Sequence, residues 1–431
     1  IHIGHASAPS NFIQGNLIGT NAAGSAALAN QGSGIFLSEA QGTTVGGTAA
    51  SEGNVISGNT QAGVMITGAF ATANLVIGNL IGLDRSGDTA IPNQIGVSIS
   101  GGAYTNTIGG TIPAARNIIS GNSQYGISLQ ADSNTVRGNY IGADVTGMLA
   151  VGNGIDGINA YTNSSVIRSN VISGNLNNGI EISGDASGVT IVPNVIGLNT
   201  RGDGVLANGG NGILIAGTAH DNVIGGTGVV SSDSVIRQNT ISGNGGYGVE
   251  IAGAAFNNVI ADSAIGTNIQ ELGALPNGAG GVLLSSSGIG NVVGTAITGF
   301  SPLPSPAAHV NVISGNTGTG VTIDTGVNFN AALNNWIGLN VFGQAVLPNT
   351  GPNIVDNGGT NLVYGNAASG PLPVESPTGQ LEALYIGWFG RAADPLGFGN
   401  DMATFLGEIQ GGASIAAAAL VVSQRFATAP E

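Results

Sequence analysis

The chain repeats a short pattern in which a glycine precedes apolar residues at alternate positions. A clear copy is Gly126-Ile127-Ser128-Leu129, in which Ile127 and Leu129 flank a small polar residue. Side chains two residues apart lie on one face of a strand, so the spacing predicts a β-strand rather than a helix. Ten copies begin at Gly34, Gly63, Gly96, Gly126, Gly157, Gly179, Gly212, Gly248, Gly281 and Gly320.

These glycines lie 29, 33, 30, 31, 22, 33, 36, 33 and 39 residues apart. A unit that recurs about every thirty residues is typical of a solenoid, in which each repeat contacts only its neighbours. Two more strand-like patterns recur between the copies, represented by Asn54-Val55-Ile56-Ser57-Gly58-Asn59 and Asn134-Thr135-Val136-Arg137-Gly138-Asn139. Three short strands per period predict about twelve coils of a parallel β-helix.

Stacking of the coils explains the pattern physically. One coil cannot bury Ile180 and Ile182 alone, but coils about 4.8 Å apart align them with equivalent pairs above and below. Asparagines at the strand ends can then stack with their copies as a ladder of amides. Parallel crossovers are right-handed by default, so the sequence predicts a right-handed all-β solenoid.

A longer period is superimposed on the first. Segments of the form Gly-x-(Asn/Asp) begin 63, 60, 55, 69 and 72 residues apart, which is about two coils. We expect every second coil to carry a protruding loop, and the loops to form a ridge on one side of the rod. The segments begin at Gly19, Gly82, Gly142, Gly197, Gly266 and Gly338.

The pattern changes after the last repeat. Residues 371–378 (PLPVESPT) have the composition of a linker, and apolar residues with helical spacing follow from Leu381 to Phe389. We therefore expect a β-helix over residues 1–370, a linker over 371–378 and a small all-α domain over 379–431.

Composition and charge exclude several classes of function. Only 7% of residues are charged, the net charge is −15, and the eight basic residues are all arginine. Nucleic acids and anionic membrane surfaces bind basic patches that this composition does not predict, so we expect neither as a partner. The chain has no cysteine, which excludes disulfides and thiolate chemistry. Its longest apolar run, residues 415–422, is too short for membrane insertion.

The repeat strings carry a resemblance. Residues 11–370 resemble the right-handed parallel β-helix repeats of bacterial secreted and cell-surface proteins, in which strings such as those beginning at Asn54 and Asn134 are typical. The tail Gly390-Arg391-Ala392-Ala393-Asp394-Pro395 resembles a helical domain of unknown function that is similar to phycobilisome linker domains and ends many large secreted bacterial repeat proteins. Together these resemblances imply an extracellular or cell-surface location and a role in assembly.

Enzymes of this fold use residues that the chain largely lacks. Lyases need a basic residue beside calcium-binding carboxylates, galacturonan hydrolases need paired carboxylates, and alginate-type epimerases carry an Asp-Pro-His-Glu stretch. The chain has no lysine, no Asp-Asp pair and no such stretch, since Asp394-Pro395 lies in the tail without the His-Glu. We therefore assign no catalytic residue.

Two groups of side chains are candidates for ligand binding. Glu181 and Glu250 occupy the outward position of the strand motif, where they either face a ligand on one flank or are solvated strand residues. Arg137, Arg168 and Arg237 end similar strings. They either form a face that binds an anionic sugar, or each pairs with a carboxylate or caps a turn.

The loops of the longer period are candidates for calcium. Asp84, Asp88, Asp144 and Asp203 lie in these loops and supply the oxygen ligands that Ca²⁺ prefers. Alternatively, these side chains hold the loop backbone without metal, because asparagine replaces aspartate in several copies. The sequence does not require any cofactor.

Two hypotheses for function follow. The first is an extracellular structural rod, a surface-layer, fibre or adhesin component, that self-associates head to tail or binds other surface components, since open solenoid ends expose unpaired strand edges. The second is a polysaccharide-active enzyme or sugar-binding module that uses a flank of the β-helix.

Overall fold

The computed structural model describes residues 1–4, 10–226, 239–294, 310–340, 345–364 and 366–369. Within these ranges the chain forms 36 short strands and one turn of 3-10 helix, Pro113–Ala115. The strands form three parallel sheets of 12 strands, which we call A, B and C, and each coil contributes one strand to each sheet. The predicted parallel β-helix of about twelve coils is therefore confirmed, whereas the linker and the helical domain lie outside the described residues.

The order of the strands within each sheet follows the order of the coils along the rod. Sheet A consists of His2–Gly4, Ile35–Ser38, Ala62–Thr67, Ile95–Ser100, Ile127–Leu129, Ile158–Ala160, Ile180–Ile182, Ile213–Ile215, Tyr247–Ala252, Gly280–Ser285, Thr319–Ile323 and Ile354–Asp356. Sheet B consists of Phe12–Ile13, Thr44–Gly46, Leu75–Ile77, Thr107–Ile108, Thr135–Arg137, Val166–Arg168, Thr190–Ile191, Val223–Ile224, Val259–Ile260, Val292–Gly294, Ala331–Leu333 and Leu362–Tyr364. Sheet C consists of Leu17–Ile18, Val55–Ile56, Leu80–Ile81, Ile118–Ile119, Tyr140–Ile141, Val171–Ile172, Val195–Ile196, Asn239–Ile241, Ser263–Ile265, Val312–Ile313, Trp336–Ile337 and Ala367–Ala368.

Aliphatic columns fill the interior of the rod. Ile127, Ile158 and Ile180 lie in register in neighbouring coils of sheet A and are fully buried. A second column lies two residues later in each strand. Each such side chain contributes about 1.5–3 kcal/mol by leaving water. The intervening residues lie on the opposite face, and along the rod they are Phe36, Met65, Ser98, Ser128, Asn159, Glu181, Leu214, Glu250, Leu283 and Thr322.

Buried asparagines form ladders where the chain turns between sheets. At the turn between sheets B and C, Asn139 donates from both its backbone N–H and its Nδ2 to Oδ1 of Asn170 in the next coil, each at 3.0 Å. Its Nδ2 also donates to the carbonyl of Ile108 in the preceding coil at 3.0 Å. The side-chain amide is thereby satisfied inside the protein, which is the condition for burying it. Similar ladders lie before sheet B and after sheet C, as the sequence predicted.

The longest uninterrupted ladder follows sheet C. Asn175 accepts from Nδ2 of Asn153 at 2.8 Å and donates to Oδ1 of Asn208 at 2.9 Å. Its members are Asn30, Asn59, Asn93, Asn122, Asn153, Asn175, Asn208, Asn244, Asn277, Asn316 and Asn349. The ladder before sheet B is interrupted at coils 6 and 7, where Ser165 and Val189 replace asparagine.

Ten-residue hairpins follow sheet C in coils 1, 3, 5, 7 and 9, and the described ends of the equivalent segment in coil 11 pair in the same way, which confirms the two-coil period. In the hairpin of coil 5, the N–H of Val151 donates to the carbonyl of Gly142. The buried Ser120 of coil 4 holds the base of this hairpin, because its Oγ donates to the carbonyl of Ala143 at 2.6 Å and accepts from the N–H of Gly142 at 3.0 Å.

Gly121, the residue after Ser120, packs against the hairpin of coil 3, which lies on the opposite side of coil 4 from the hairpin of coil 5. Gly121, at φ +69°, lies so close to Ala90 of the preceding hairpin that a side chain would collide. We call Ser120 and Gly121, together with the Ser-Gly pairs at the same place in other even-numbered coils, the serine clasp. The even-numbered coil is thus shaped to fit between two hairpins.

Removing one amide from the middle of a ladder should destabilise the rod strongly. Asn175→Ala leaves buried groups of Asn153, Asn208 and Ile141 without their partner, and each such group costs about 1–3 kcal/mol. Asn30→Ala removes one hydrogen bond at the exposed start of the same ladder and should cost much less. Denaturant unfolding of both variants, followed by circular dichroism, tests this, and a loss for Asn175→Ala as small as that for Asn30→Ala would show that the ladder does not stabilise the fold.

Candidate functional site

The outer side of sheet A carries a strip of tyrosine, carboxylate and amide side chains over coils 5 to 11. We call this strip face A. It combines outward residues of the strands with the residue that precedes the motif glycine. The charged and polar members are unusual in a chain with only 7% charged residues. Face A consists of Tyr125, Asp156, Tyr161, Asn178, Glu181, Asn211, Tyr247, Glu250, Ser285 and Asp324.

The first cluster of face A joins Tyr125, Asp156 and Glu181 in three consecutive coils. Asp156 is 1% exposed, and its Oδ1 accepts from the backbone N–H of Asn178 at 2.8 Å and from Nδ2 of Asn177 at 2.9 Å. Burial, together with the charge of Glu181, raises the pKa of Asp156 to about 6. Burial and the same two carboxylates raise the pKa of Tyr125 above its usual value.

The second cluster lies further along the rod and joins Tyr247, Glu250 and Asp324. Glu250 Oε2 accepts from Nδ2 of Asn211 at 2.8 Å, and its Oε1 accepts from Oγ of Ser285 at 2.6 Å. Burial raises the pKa of Tyr247, and the charges of Asp324 and Glu250 add to the effect. Both predicted glutamates therefore lie in a tyrosine–carboxylate cluster rather than standing alone in solvent.

Amide side chains connect the two clusters. Asn178 Oδ1 accepts from the N–H of Asn211 at 2.9 Å, and Asn211 Oδ1 accepts from the N–H of Tyr247 at 2.7 Å. Nδ2 of Asn178 also donates to Glu181 Oε2 at 3.4 Å. The carboxylates of face A are thus held in fixed orientations by neighbours in the same or adjacent coils. Side chains that are already oriented can bind a ligand without first rearranging.

Two of the three predicted arginines lie next to each other. Arg137 and Arg168 are register partners at the end of sheet B, and Arg237 lies outside the described residues. Within the described ranges the ion pairs lie only at His220, so neither Arg137 nor Arg168 pairs there with a carboxylate. Binding of an anionic sugar by this face stays a prediction.

The hairpin aspartates hold the loop backbone. Asp144 Oδ1 accepts from the N–H groups of Met148 at 2.9 Å and Leu149 at 3.1 Å, while Thr146 Oγ1 donates to Oδ2 at 2.7 Å. Burial works to raise the pKa of Asp144, but these hydrogen bonds outweigh it and lower the pKa below its usual value. Asn199 makes the equivalent bond to the N–H of Asp203 at 3.4 Å.

Asp84 and Asp88 share one hairpin, in which Ser86 Oγ lies 2.6 Å from Asp84 Oδ2 and 2.7 Å from Asp88 Oδ1. Burial works to raise the pKa of Asp84. Hydrogen bonds from the Ser86 hydroxyl and three backbone N–H groups outweigh it, so the pKa lies below its usual value. These contacts support the interpretation that the side chains hold the turn. Among the described residues no three His, Asp or Glu side chains are grouped to hold a metal ion, and calcium binding stays a prediction.

Glu271 is a buried carboxylate that the sequence pattern did not reveal. It occupies the hairpin position taken by Gly147 and Gly202 in earlier coils, and it shares their left-handed backbone with φ +58°. Burial, with a contribution from the charge of Asp262, raises the pKa of Glu271 to about 7. The only available signal was a glutamate at a position where the repeat otherwise prefers glycine.

The comparisons with known proteins agree with this fold. A family model described as "Right handed beta helix region" matches residues 150–296, which is 147 of 431 residues. No curated protein matches the chain.

Nothing in the described ranges has the length and apolarity of a helix that crosses a membrane.

Solved structures similar to the chain include two modules from Azotobacter vinelandii. The mannuronan C-5 epimerase AlgE4 A-module is 17% identical, covers 85% of this chain and 92% of its own, and has a TM-score of 0.42. The AlgE6 A-module is 16% identical, with the same coverage and a TM-score of 0.37. A double mutant of the periplasmic alginate epimerase AlgG is 14% identical, covers 79% of this chain and 73% of its own, and has a TM-score of 0.43. At these values the likeness carries no argument about activity.

Replacing Asp144 should separate the turn interpretation from calcium binding. Asp144→Asn keeps the oxygen that accepts the loop N–H groups and should change stability little, as the natural Asn199 hairpin indicates. Asp144→Ala removes these bonds and should cost about 1–3 kcal/mol in denaturant unfolding. Added calcium should not change the order of stability among the unsubstituted protein, Asp144→Asn and Asp144→Ala. A calcium-dependent stabilisation present in the unsubstituted protein and absent in Asp144→Asn would instead indicate a metal site.

Asp156→Asn should remove a pH dependence of stability. Because the folded-state pKa of Asp156, about 6, lies above the ordinary value of 3.8, the native carboxyl stabilises the fold at low pH, and this contribution is lost as pH rises to about 6. Asparagine accepts the same N–H without ionising, so the variant should unfold at higher temperature than the unsubstituted protein at pH 8. At pH 3 the difference should vanish. A constant difference across this range would contradict the raised pKa.

Proposed function

We propose that the chain is an extracellular rod that binds a neutral polysaccharide along face A without cleaving it. The observation that supports this proposal is the arrangement of face A itself. The accessible members of face A are three tyrosines, the carboxylates of Glu181, Glu250 and Asp324, the amide of Asn211 and the hydroxyl of Ser285, whereas Asp156 and Asn178 are buried beneath them. They follow one another along seven coils, so the strip extends for about 30 Å at the usual strand spacing.

The chemistry of face A suits the hydroxyl groups and the ring faces of sugars. Carboxylate and amide groups that are already oriented, such as Glu250 between Asn211 and Ser285, accept hydrogen bonds from hydroxyl groups. The ring of Tyr161 lies against Gly184 and that of Tyr247 against Gly280, where the absence of a side chain leaves room for it. Flat rings held on a rigid sheet offer apolar area at low entropic cost.

The burial of Asp156 favours binding over hydrolysis. A general acid must lie within hydrogen-bond reach of the bond that it cleaves. Asp156 has the raised pKa of such an acid, but it is 1% exposed and is hydrogen-bonded to Asn177 and Asn178. The partly exposed carboxylates of Glu181, Glu250 and Asp324 would also repel a polyanion, so the proposal specifies a neutral chain.

The structural-rod hypothesis stays a prediction beside this one. The asparagine ladders lie inside the rod and support a stiff scaffold, whatever ligand its surface binds. Self-association, attachment to other surface components and the extracellular location also stay predictions, because residues 371–431, which follow coil 12, lie outside the described ranges.

Loss of tyrosines from face A should weaken binding to a neutral polysaccharide. We expect the Tyr161→Ala/Tyr247→Ala variant to bind at least about tenfold more weakly than the unsubstituted protein, since each aromatic contact contributes roughly 0.5–1.5 kcal/mol beyond its buried area. Isothermal titration with soluble β-glucan, mannan and xylan, chosen as neutral chains of different geometry, measures the effect.

The control is Tyr104→Ala, which removes a tyrosine that is 47% exposed and lies outside face A. It should bind as the unsubstituted protein does. Assays for new chain ends after prolonged incubation should detect none. Binding of neutral chains that survives the double variant, or a loss on Tyr161→Ala/Tyr247→Ala that is larger for anionic than for neutral chains, would contradict the proposal. Release of new chain ends would replace it with an enzymatic function.

A further inference from the structure

Three arginines lie together at the turn between sheets B and C in coils 4 to 6. We call Arg116, Arg137 and Arg168 the arginine corner. The described residues contain only two other arginines, Arg85 and Arg201, and both lie exposed in separate hairpins. A chain with a net charge of −15 therefore places most of its described positive charge at one edge.

The arginine corner is not neutralised within the described protein. Arg137 and Arg168 are register partners, so their strands lie about 4.8 Å apart. Both are half-buried, neither forms an ion pair with a described residue, and Nε of Arg137 is buried without a hydrogen-bond partner in the described ranges. Like charges directly opposite each other in a sheet repel, and a buried donor without a partner is costly.

Arg116 contacts the turn that follows Arg137. Its Nε donates to the carbonyl of Gly138 at 3.3 Å, and its guanidinium lies 3.9 Å from the centre of the Tyr140 ring. These two contacts fix the side chain over the turn that follows Arg137. No hydrogen bond from the remaining N–H groups of Arg116 to a described residue is found, and no described carboxylate forms an ion pair with any of the three arginines.

We propose that the arginine corner binds an oxyanion, a carboxylate or sulfate group, which bridges the guanidinium groups of Arg137 and Arg168. The planar guanidinium presents two parallel donors that match the oxygens of such a group. The bound anion accepts from the terminal N–H groups of the two guanidiniums and removes the repulsion between the register-paired arginines. This site is separate from face A and does not depend on the function proposed for it.

The oxyanion could be a free ion or a group on an anionic glycan, and titrations with inorganic sulfate and with a sulfated polymer distinguish the two. Titration of the full chain with inorganic sulfate tests a free ion, and dextran sulfate against unsulfated dextran tests an anionic glycan. The double variant Arg137→Gln/Arg168→Gln should lose at least about tenfold in affinity for whichever probe binds, since both donors of the bridge are removed. The double variant Arg85→Gln/Arg201→Gln, which has the same net charge, should bind as the unsubstituted protein does.

Stability without any oxyanion provides a second readout. In chloride buffer of low ionic strength, Arg137→Gln/Arg168→Gln should be at least as stable as the unsubstituted protein, because two unpaired cations have been removed. Sulfate should raise the unfolding temperature of the unsubstituted protein and leave that of the double variant unchanged. Equal binding by the two double variants, absence of binding by every probe, or a lower unfolding temperature of Arg137→Gln/Arg168→Gln in chloride would overturn the proposal.

Discussion

The buried asparagine at the turns is the constraint on which the structure depends. An amide such as Asn139 has too many donors and acceptors to be buried alone, and its partners are the same residue one coil away and the backbone of the coil before. The aliphatic columns tolerate Ile, Val, Leu or Ala at the same position, whereas an amide must meet another hydrogen-bonding group. The ladders therefore set the register of the coils, and hydrophobic burial supplies most of the favourable free energy.

The register brings distant parts of the chain into fixed relation. Burial raises the pKa of Tyr125, and the charges of Asp156 and Glu181 add to the effect although many residues separate them from Tyr125, because each coil advances the chain by only one strand spacing. The same geometry places Arg137 beside Arg168 and Asp324 near Tyr247. Residues that act together on such a scaffold are therefore neighbours across coils rather than neighbours in sequence.

The sequence predicted the coils well because their signals repeat. The spacing of Ile180 and Ile182, the asparagine at each turn and the two-coil loop period are each repeated many times, and repetition makes a weak local preference unambiguous. The outward position of Glu181 and Glu250 followed from strand alternation. Asp156, Tyr125 and Tyr247 could not be found in this way, since they precede the motif glycine at a position that holds Ala62 or Ile95 in other coils. Their proximity depends on side-chain direction across coils, which the repeat does not encode.

The serine clasp has a consequence for how such a chain can change its length. Ser120 and Gly121 of an even-numbered coil fit between the hairpins of the two odd-numbered coils beside it. Loss or duplication of a single coil would put two clasps, or two hairpins, next to each other, and one of them would have nothing to engage. Growth and shortening of the rod during evolution should therefore proceed by whole pairs of coils, even where individual coils differ freely in sequence.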